Sequence, residues 1–141
     1  MNFLLDTNVV SEWTKPRPDS GVVAWLAEVD EDRVFISVVT LAELRYGIER
    51  MPSGGRRNRL DVWLSEQLPA RFEARVLAVD IETAHTWGRV MARGRNGGRP
   101  VGAMDAFMAA TAERHQLTLV TRNVSDFDSL GIRLINPWTE S

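Results

Sequence analysis

The chain has 141 residues, a formal net charge of −2 and an isoelectric point near 5.7. This length suits one domain with its own core, so we expect a single domain over residues 1–141. The absence of cysteine excludes disulfides, thiol nucleophiles and cysteine zinc sites. The acidic balance argues against a dedicated DNA-coating protein. Without a long apolar run or a signal-peptide pattern, we expect a cytoplasmic protein with no membrane span.

Short apolar strands alternate with amphipathic helices along the sequence. The pattern predicts strands at 1–5, 34–36, 76–79, 117–121 and 132–135. It predicts helices at 7–13, after Asp19 or Ser20, from Ser37 or Thr40 to Met51, at 56–68, from Ile81 to about Arg93, and from Asp105 onward. A loop is predicted at 94–102. Such alternation is typical of a mostly parallel sheet covered by helices on both faces. We therefore predict an α/β/α sandwich.

Four carboxylates stand where predicted elements begin or end. Asp6 follows the first strand, Glu43 lies in the third helix, Asp105 opens a late helix, and Asp126 follows the strand at 117–121. Ligands of open parallel sheets bind beyond the carboxyl ends of the strands. Two carboxylates ~4 Å apart repel by on the order of 4 kcal/mol at an effective dielectric near 20. A fold that gathers these acids therefore implies a divalent cation or raised pKa values.

Each acid also has a simpler explanation when it is considered alone. Asp6 could cap the helix that follows it. Asp105 in a first turn benefits from the helix dipole whatever else it does. Glu43 and Asp126 could face solvent on a helix and in a loop. A shared site explains all four positions at once, whereas the simpler explanations require four coincidences.

Four sequence blocks, taken in order, resemble PIN-domain proteins. They are FLLDTN at 3–8, SVVTLAEL at 37–44, DAFMAATA at 105–112 and TRNVSDF at 121–127. Within that superfamily the chain most resembles the VapC/FitB-like toxins of bacterial type II toxin–antitoxin pairs, along essentially its whole length. The resemblance implies a PIN-like fold and a Mg²⁺- or Mn²⁺-dependent endoribonuclease. It also implies a homodimer and a small DNA-binding antitoxin, through which alone the toxin would meet DNA.

The resemblance also implies which acids act in catalysis. Asp6 and Asp105 match the firmest metal ligands of the family, and Glu43 matches its third acid. Many relatives have a further acid where Asn123 stands here. Asp126, three residues later, is the alternative source of a fourth catalytic carboxylate, or it only holds the loop. Independently of the family, magnesium prefers such hard oxygen ligands and activates a bound water for attack on phosphorus.

Two further sets of polar residues are predicted around the acids. The polar positions of the family's site match Asn8, Ser37, Thr121 and Asn123. The arginines that could contact RNA phosphates are Arg56, Arg57, Arg59, Arg93, Arg95 and Arg99. Guanidinium groups suit phosphate, and such contacts position a strand without reading its sequence. The alternative is a solvated helix end and a glycine-rich loop at 94–102 that is free to move.

Two other functions would use some of the same features. A Mg²⁺-dependent aspartyl-phosphate phosphatase or receiver domain also gathers acids, but the phosphatase would have Asp where Asn8 stands. Both would require a late lysine, and Lys15, the only lysine, is early. The chain could also be a non-catalytic subunit of an antitoxin–DNA repressor complex. Whichever function holds, Trp25 and Trp63, on amphipathic helices, could pack in the core or could instead line a groove for an antitoxin segment or a second subunit.

Overall fold

A parallel β-sheet forms the centre of the computed structural model, which describes residues 1–139. Its strands within those residues are β1 (Phe3–Leu5), β2 (Val34–Ser37), β3 (Val76–Leu77), β4 (Thr118–Val120) and β5 (Leu134–Ile135). The strand order is β3-β2-β1-β4-β5, and every neighbouring pair is parallel. β1 is therefore central, and Leu4 pairs with Phe35 on one side and Leu119 on the other. The predicted domain extends to residue 141, so its last two residues lie outside the described part.

Helices connect the strands and cover both faces of the sheet. They are α1 (Thr7–Glu12), α2 (Ser20–Glu28), α3 (Val38–Glu49), α4 (Gly55–Val62), α5 (Leu68–Phe72), α6 (Ile81–Asn96) and α7 (Ala103–His115). A π-helical turn, Trp63–Gln67, joins α4 to α5 in one helical stretch. Among residues 1–139, no helix combines the length and apolar character needed to cross a membrane.

The side chains of the sheet alternate between two hydrophobic clusters. Leu4 is fully buried in a cluster with α6 and α7 residues such as Val90 and Met108. Leu5, its neighbour, is fully buried in the opposite cluster with residues such as Val10 and Phe72 from α1 and α5. Successive side chains of a strand point to opposite faces, so β1 contributes to both layers of the core. The predicted α/β/α sandwich with a parallel sheet is confirmed.

The segment before α7 differs from its prediction. We expected a loop over 94–102, but α6 continues through Asn96, so the prediction was wrong for residues 94–96. Gly94 is buried, and a Cβ atom there would lie 2.9 Å from the Arg99 carbonyl oxygen and 2.9 Å from Val101 Cγ2. This glycine therefore allows the returning chain to pack closely on α6, and does not serve to make a loop mobile. α7 begins at Ala103, which puts Asp105 in its first turn.

Candidate active site

The carboxyl ends of three adjacent strands bring the predicted site residues to one edge of the sheet. Asp6 follows β1, Ser37 ends β2, and Thr121 follows β4. β1 lies between β2 and β4, so these three positions are neighbours in space. α1 begins one residue after β1, and α3 begins directly after β2. The short connections leave little freedom to the side chains at this edge.

Asp6 is buried, with 7% of its surface exposed, and both of its carboxylate oxygens are engaged. Oδ1 accepts a hydrogen bond of 2.8 Å from the backbone N–H of Thr7, which caps α1. Oδ2 accepts a 2.8 Å hydrogen bond from the Thr121 hydroxyl. Burial raises the pKa of Asp6, and these hydrogen bonds offset part of that increase. Asp6 therefore caps α1 and is also one of the acids of the site.

Thr121 and Asn8 form a hydrogen-bonded support for Asp6. The Thr121 oxygen accepts from Asn8 Nδ2 at 3.3 Å and from the Asn123 backbone N–H at 3.0 Å. Asn8 Nδ2 also lies 3.5 Å from Asp6 Oδ2. Asn123 takes part through its backbone, while its side chain is exposed. Ser37 is different: it is fully buried, and its hydroxyl accepts from the Val39 N–H at 3.0 Å as the cap of α3.

Glu43 is oriented by a threonine that sequence reasoning did not identify. The Thr7 hydroxyl donates a 2.6 Å hydrogen bond to Glu43 Oε1. The Thr40 oxygen lies 3.2 Å from Thr7 Oγ1, so Thr40 can donate to Thr7 in turn. These contacts join the beginnings of α1 and α3. Thr40 had a signal in the sequence, because it precedes Glu43 by three residues and so shares its helix face, whereas Thr7 had none.

Asp105 is the acid on which the charges of the site converge. Burial, followed by the negative charges of Asp6, Asp126 and Glu43, raises its pKa to about 6. Asp126 also raises the pKa of Asp6. The other three predicted acids therefore all interact electrostatically with Asp105, and Asp6 and Asp126 also interact with each other. Of the two candidates for the fourth position, Asp126 contributes a carboxylate that interacts with the other acids.

Asp105 and Asp126 also share a cavity of about 180 Å³ at this edge. Its other walls come from the chain before α7 and from the loop after β4; they include Arg99, Gly102, Ser125 and Ser129. Asp126 ends a short 3₁₀ turn, Val124–Asp126, that follows β4. The cavity thus combines two of the acids with an arginine and two hydroxyl groups.

The chemistry of these donors fits a divalent metal ion. Within residues 1–139 no three acidic or histidine side chains form a ready-made metal cluster. The four carboxylates nevertheless interact, and hard oxygen donors are what Mg²⁺ and Mn²⁺ prefer. A cation would also remove the repulsion that raises the pKa of Asp105. Asp6, Glu43 and Asp105 are the residues that could hold such an ion.

The six predicted arginines do not form one surface. Arg57 Nη2 lies 3.0 Å from Glu49 Oε2, and Arg93 Nη2 lies 2.8 Å from Glu113 Oε1, so both are internally paired. Arg99 lines the acidic cavity and pairs with Asp128 at 3.1 Å. The remaining three, which make no ion pair within residues 1–139, are Arg56, Arg59 and Arg95.

A groove around Trp13 lies apart from the acids. Trp13 borders two cavities of about 280 Å³ and 430 Å³, and the larger is also lined by Trp63, Arg56 and Arg59. Trp25 instead packs edge-on against Phe3, with 5.1 Å between the ring centroids. Trp25 thus packs against the core, and of the two tryptophans only Trp63 lines one of these cavities. Trp13, at the end of α1, lines that cavity with Trp63.

Comparison with known proteins agrees with this geometry. The PIN domain family model matches residues 3–132. The chain is 40% identical over 140 residues to VapC ribonuclease Y4jK of Sinorhizobium fredii, covering 96% of this chain and 97% of that protein. It is 36% identical over 136 residues to Toxin FitB of Neisseria gonorrhoeae, covering 96% and 98%. The crystal structure of FitAcB from Neisseria gonorrhoeae superposes with a TM-score of 0.91 at 35% identity, covering 98% of this chain and 99% of that one. The chain thus belongs to the PIN-domain family and, within it, to the VapC/FitB toxins, as its four sequence blocks predicted.

Proposed function

We propose that this protein is the toxin of a toxin–antitoxin pair and an endoribonuclease that hydrolyses RNA phosphodiester bonds with Mg²⁺ or Mn²⁺. The observation that carries the proposal is the convergence of charge on Asp105, whose pKa is raised to about 6 by burial and by Asp6, Asp126 and Glu43. The carboxylates of such a cluster repel one another unless a cation binds between them, so the cluster indicates a cation-binding site. The ribonuclease named among its relatives, at 40% identity, supports the same chemistry.

The residues of the site have distinct roles in the proposed mechanism. Asp6 and Asp105 would hold the principal ion, and the Thr121 hydroxyl and the Thr7 amide fix the orientation of Asp6. When bound, the ion would supply an activated water and stabilise the charge that develops on the phosphate. Glu43, oriented by Thr7, would hold a second ion or position the water as a base. Asp126 adds the fourth carboxylate.

Replacement of the two principal acids tests the mechanism. Asp6→Asn and Asp105→Asn should each reduce RNA cleavage by at least about 100-fold, because each removes a charged ligand. Asp32→Asn, in the exposed turn before β2, is the matched control and should cleave like the wild type. The measurement is cleavage of a labelled RNA, with circular dichroism to verify the fold. Cleavage that persists in either variant, or in excess EDTA, contradicts the proposal.

The aspartyl-phosphate alternative lacks support at the acidic edge. Lys15, the only lysine, pairs with Glu12 at the other end of α1 from Asp6. Asn8 stands where a phosphatase would have its second Asp and donates to Thr121. Trapping a phosphoryl-aspartate would favour that alternative over hydrolysis of RNA.

We propose that a segment of the antitoxin binds in the groove around Trp13. Its apolar walls and the flanking Arg56, Arg59 and Arg71 suit an apolar segment with acidic neighbours. A solved DNA-bound VapBC complex from Salmonella typhimurium, 30% identical with a TM-score of 0.77, supports a DNA-binding partner. Arg56 and Arg59 remain proposed RNA contacts, so a segment in this groove would cover them and inhibit the enzyme.

Charge reversal tests this arrangement. Arg56→Glu with Arg59→Glu should weaken both RNA binding and binding of the co-expressed upstream partner, by about 10-fold or more, because both ligands use these charges. Arg50→Glu, an exposed arginine over the Tyr46 ring, is the control and should change neither affinity by more than about 2-fold. Calorimetry measures the partner, and filter binding measures the RNA. Loss of only one of the two affinities contradicts shared use of the groove.

A further inference from the structure

The cavity beside Asp105 has walls of opposite charge. Asp105 and Asp126 supply carboxylates, and Arg99 supplies a guanidinium group, with the hydroxyls of Ser125 and Ser129 nearby. Its volume of about 180 Å³ is that of several water molecules, each of which occupies about 30 Å³ in the liquid. An anionic group in this cavity could contact a metal ion held by the carboxylates on one side and the Arg99 guanidinium group on the other. A phosphate, negatively charged and rich in oxygen acceptors, is such a group.

The backbone of Arg99 is held firmly where it enters this cavity. Its N–H donates a 2.9 Å hydrogen bond to the carbonyl oxygen of Gly94 at the end of α6. Its own carbonyl oxygen packs against the open face of Gly94, 2.9 Å from where a Cβ atom would stand. The arginine therefore starts from a fixed point beside the acids. Such preorganisation reduces the conformational entropy lost on binding.

The side chain of Arg99, in contrast, is held by weak and exchangeable contacts. It lies 3.1 Å from Asp128 Oδ1 and 3.4 Å from the Ser125 carbonyl oxygen. The side chains of Arg99 and Asp128 are 59% and 55% exposed. Exposed ion pairs of this kind contribute only ~0–1 kcal/mol. A phosphate that accepts two parallel hydrogen bonds can therefore displace Asp128.

We propose that this cavity is a subsite for the RNA phosphate adjacent to the one that is cleaved, and that Arg99 moves from Asp128 to that phosphate when RNA binds. The inference rests on the proposed ribonuclease function and adds the position of a second phosphate to it. Arg99 contacts the substrate. Asp128 is a positioning residue that keeps the guanidinium group at the cavity in the absence of RNA and competes with the phosphate for it.

RNA binding to variants of both partners tests the subsite. In an Asp6→Asn background, Arg99→Ala should weaken binding of a single-stranded RNA by about 10-fold and reduce the logarithmic salt slope by about 0.7, the value for one phosphate contact on a single strand. Arg89→Ala, which removes an exposed arginine of α6 that does not line the cavity, is the matched control and should change affinity by less than about 2-fold. Asp128→Asn should strengthen binding by about 2-fold or more, since it removes the competitor. A merely structural Asp128 would give no increase. Equal effects of the two arginine variants, or weaker binding by Asp128→Asn, would overturn the proposal.

A second measurement separates this subsite from the proposed function. Inorganic phosphate, titrated with Mg²⁺ present and followed by NMR, should shift the amide signals of Gly102, Ser125 and Ser129 in the wild type. In Arg99→Ala those shifts should be lost, and Arg99→Lys should restore part of them. If the wild type shows the shifts but cleaves no RNA, the ribonuclease proposal fails and the anion site stands. If the wild type cleaves RNA and loses no affinity in Arg99→Ala, the subsite fails and the ribonuclease proposal stands.

Discussion

The carboxyl group of Asp105 links the stability of the protein to pH. Its pKa is about 6 in the folded protein, above the value of 3.8 for an unperturbed Asp. The folded state therefore binds this proton more tightly than the unfolded state. The resulting stabilisation is complete below about pH 4 and is lost as the pH rises through about 6. A pKa difference of one unit corresponds to about 1.4 kcal/mol, and partial exposure of Asp105 reduces the total effect to about 1–2 kcal/mol.

Replacement of Asp105 should show how much the ionised carboxylate destabilises the folded protein. Without metal, Asp105→Asn should be more stable than the wild type at about pH 7.5, by about 1 kcal/mol, and the difference should shrink towards about pH 5. Urea unfolding in EDTA at both pH values measures it. Mg²⁺ at the higher pH should stabilise the wild type more than the variant. A variant that is less stable than the metal-free wild type at about pH 7.5 would contradict this account of the site.

Sequence reasoning identified the acids but not all of their contacts. Asp6 and Thr121 follow adjacent strands, and the edge rule for parallel sheets is enough to bring them together. The contact between Thr7 and Glu43 depends on how α1 packs against α3, which no local pattern encodes. Ser37 was expected beside the acids, but its hydroxyl bonds to the start of its own helix. Local capping competed with the site for that hydroxyl.

At the level of elements, two glycines of α6 differ in their surroundings. Gly88 has nothing within 4 Å of its open face, while Gly94 packs against Arg99 and Val101. Gly88→Ala should therefore stabilise the protein by about 0.5–1 kcal/mol through helix propensity. Gly94→Ala should destabilise it by about 1–3 kcal/mol, because the added methyl group overpacks the contact.

Chemical denaturation of the two variants gives this comparison directly. Gly88→Ala serves as the control for the general effect of alanine in α6. If Gly94→Ala were as stable as Gly88→Ala, the close packing of residues 99–101 on the helix would be refuted. The subsite formed with Arg99 would also lose its fixed support.

The same glycine explains why the boundary of α6 was misplaced. Glycines at 94, 97 and 98 are a common sign of a helix end, and the pattern alone predicts a loop. The exception arises because the residues just after the helix, 99–101, turn back and pack on Gly94. Long apolar segments such as α7 were easier to predict, since their burial pattern is present in each turn.

Across the whole molecule, three helices carry an exposed apolar side chain at or next to their first residue. Val38, Ile81 and Met104 stand at the beginnings of α3, α6 and α7 and are 37%, 76% and 40% exposed. An apolar patch on a protein surface is typical of an interface. For the homodimer that the family predicts, we propose that these three side chains form such a patch between two copies. The two acidic sites would then lie close to each other.

A charge introduced at the most exposed of these positions tests the dimer. Ile81→Asp should shift the protein from dimer to monomer, raising the dissociation constant by about 10-fold or more, because an unpaired charge would be buried. Ile81→Asp should leave the fold intact, since the side chain is exposed. Glu82→Gln, the next residue, is the control. Sedimentation measures the mass, and an unchanged dimer in Ile81→Asp would exclude this patch.

Asp6 both anchors the first helix and belongs to the acidic group, and this has a practical consequence. An amide of the same shape keeps an acceptor for the Thr7 N–H, so the backbone around it need not adjust. Since Asp6 is a proposed metal ligand and is buried, Asp6→Asn should give a harmless version of the toxin whose outer surface is unchanged. Cells should tolerate production of this variant, and the variant should still bind the antitoxin.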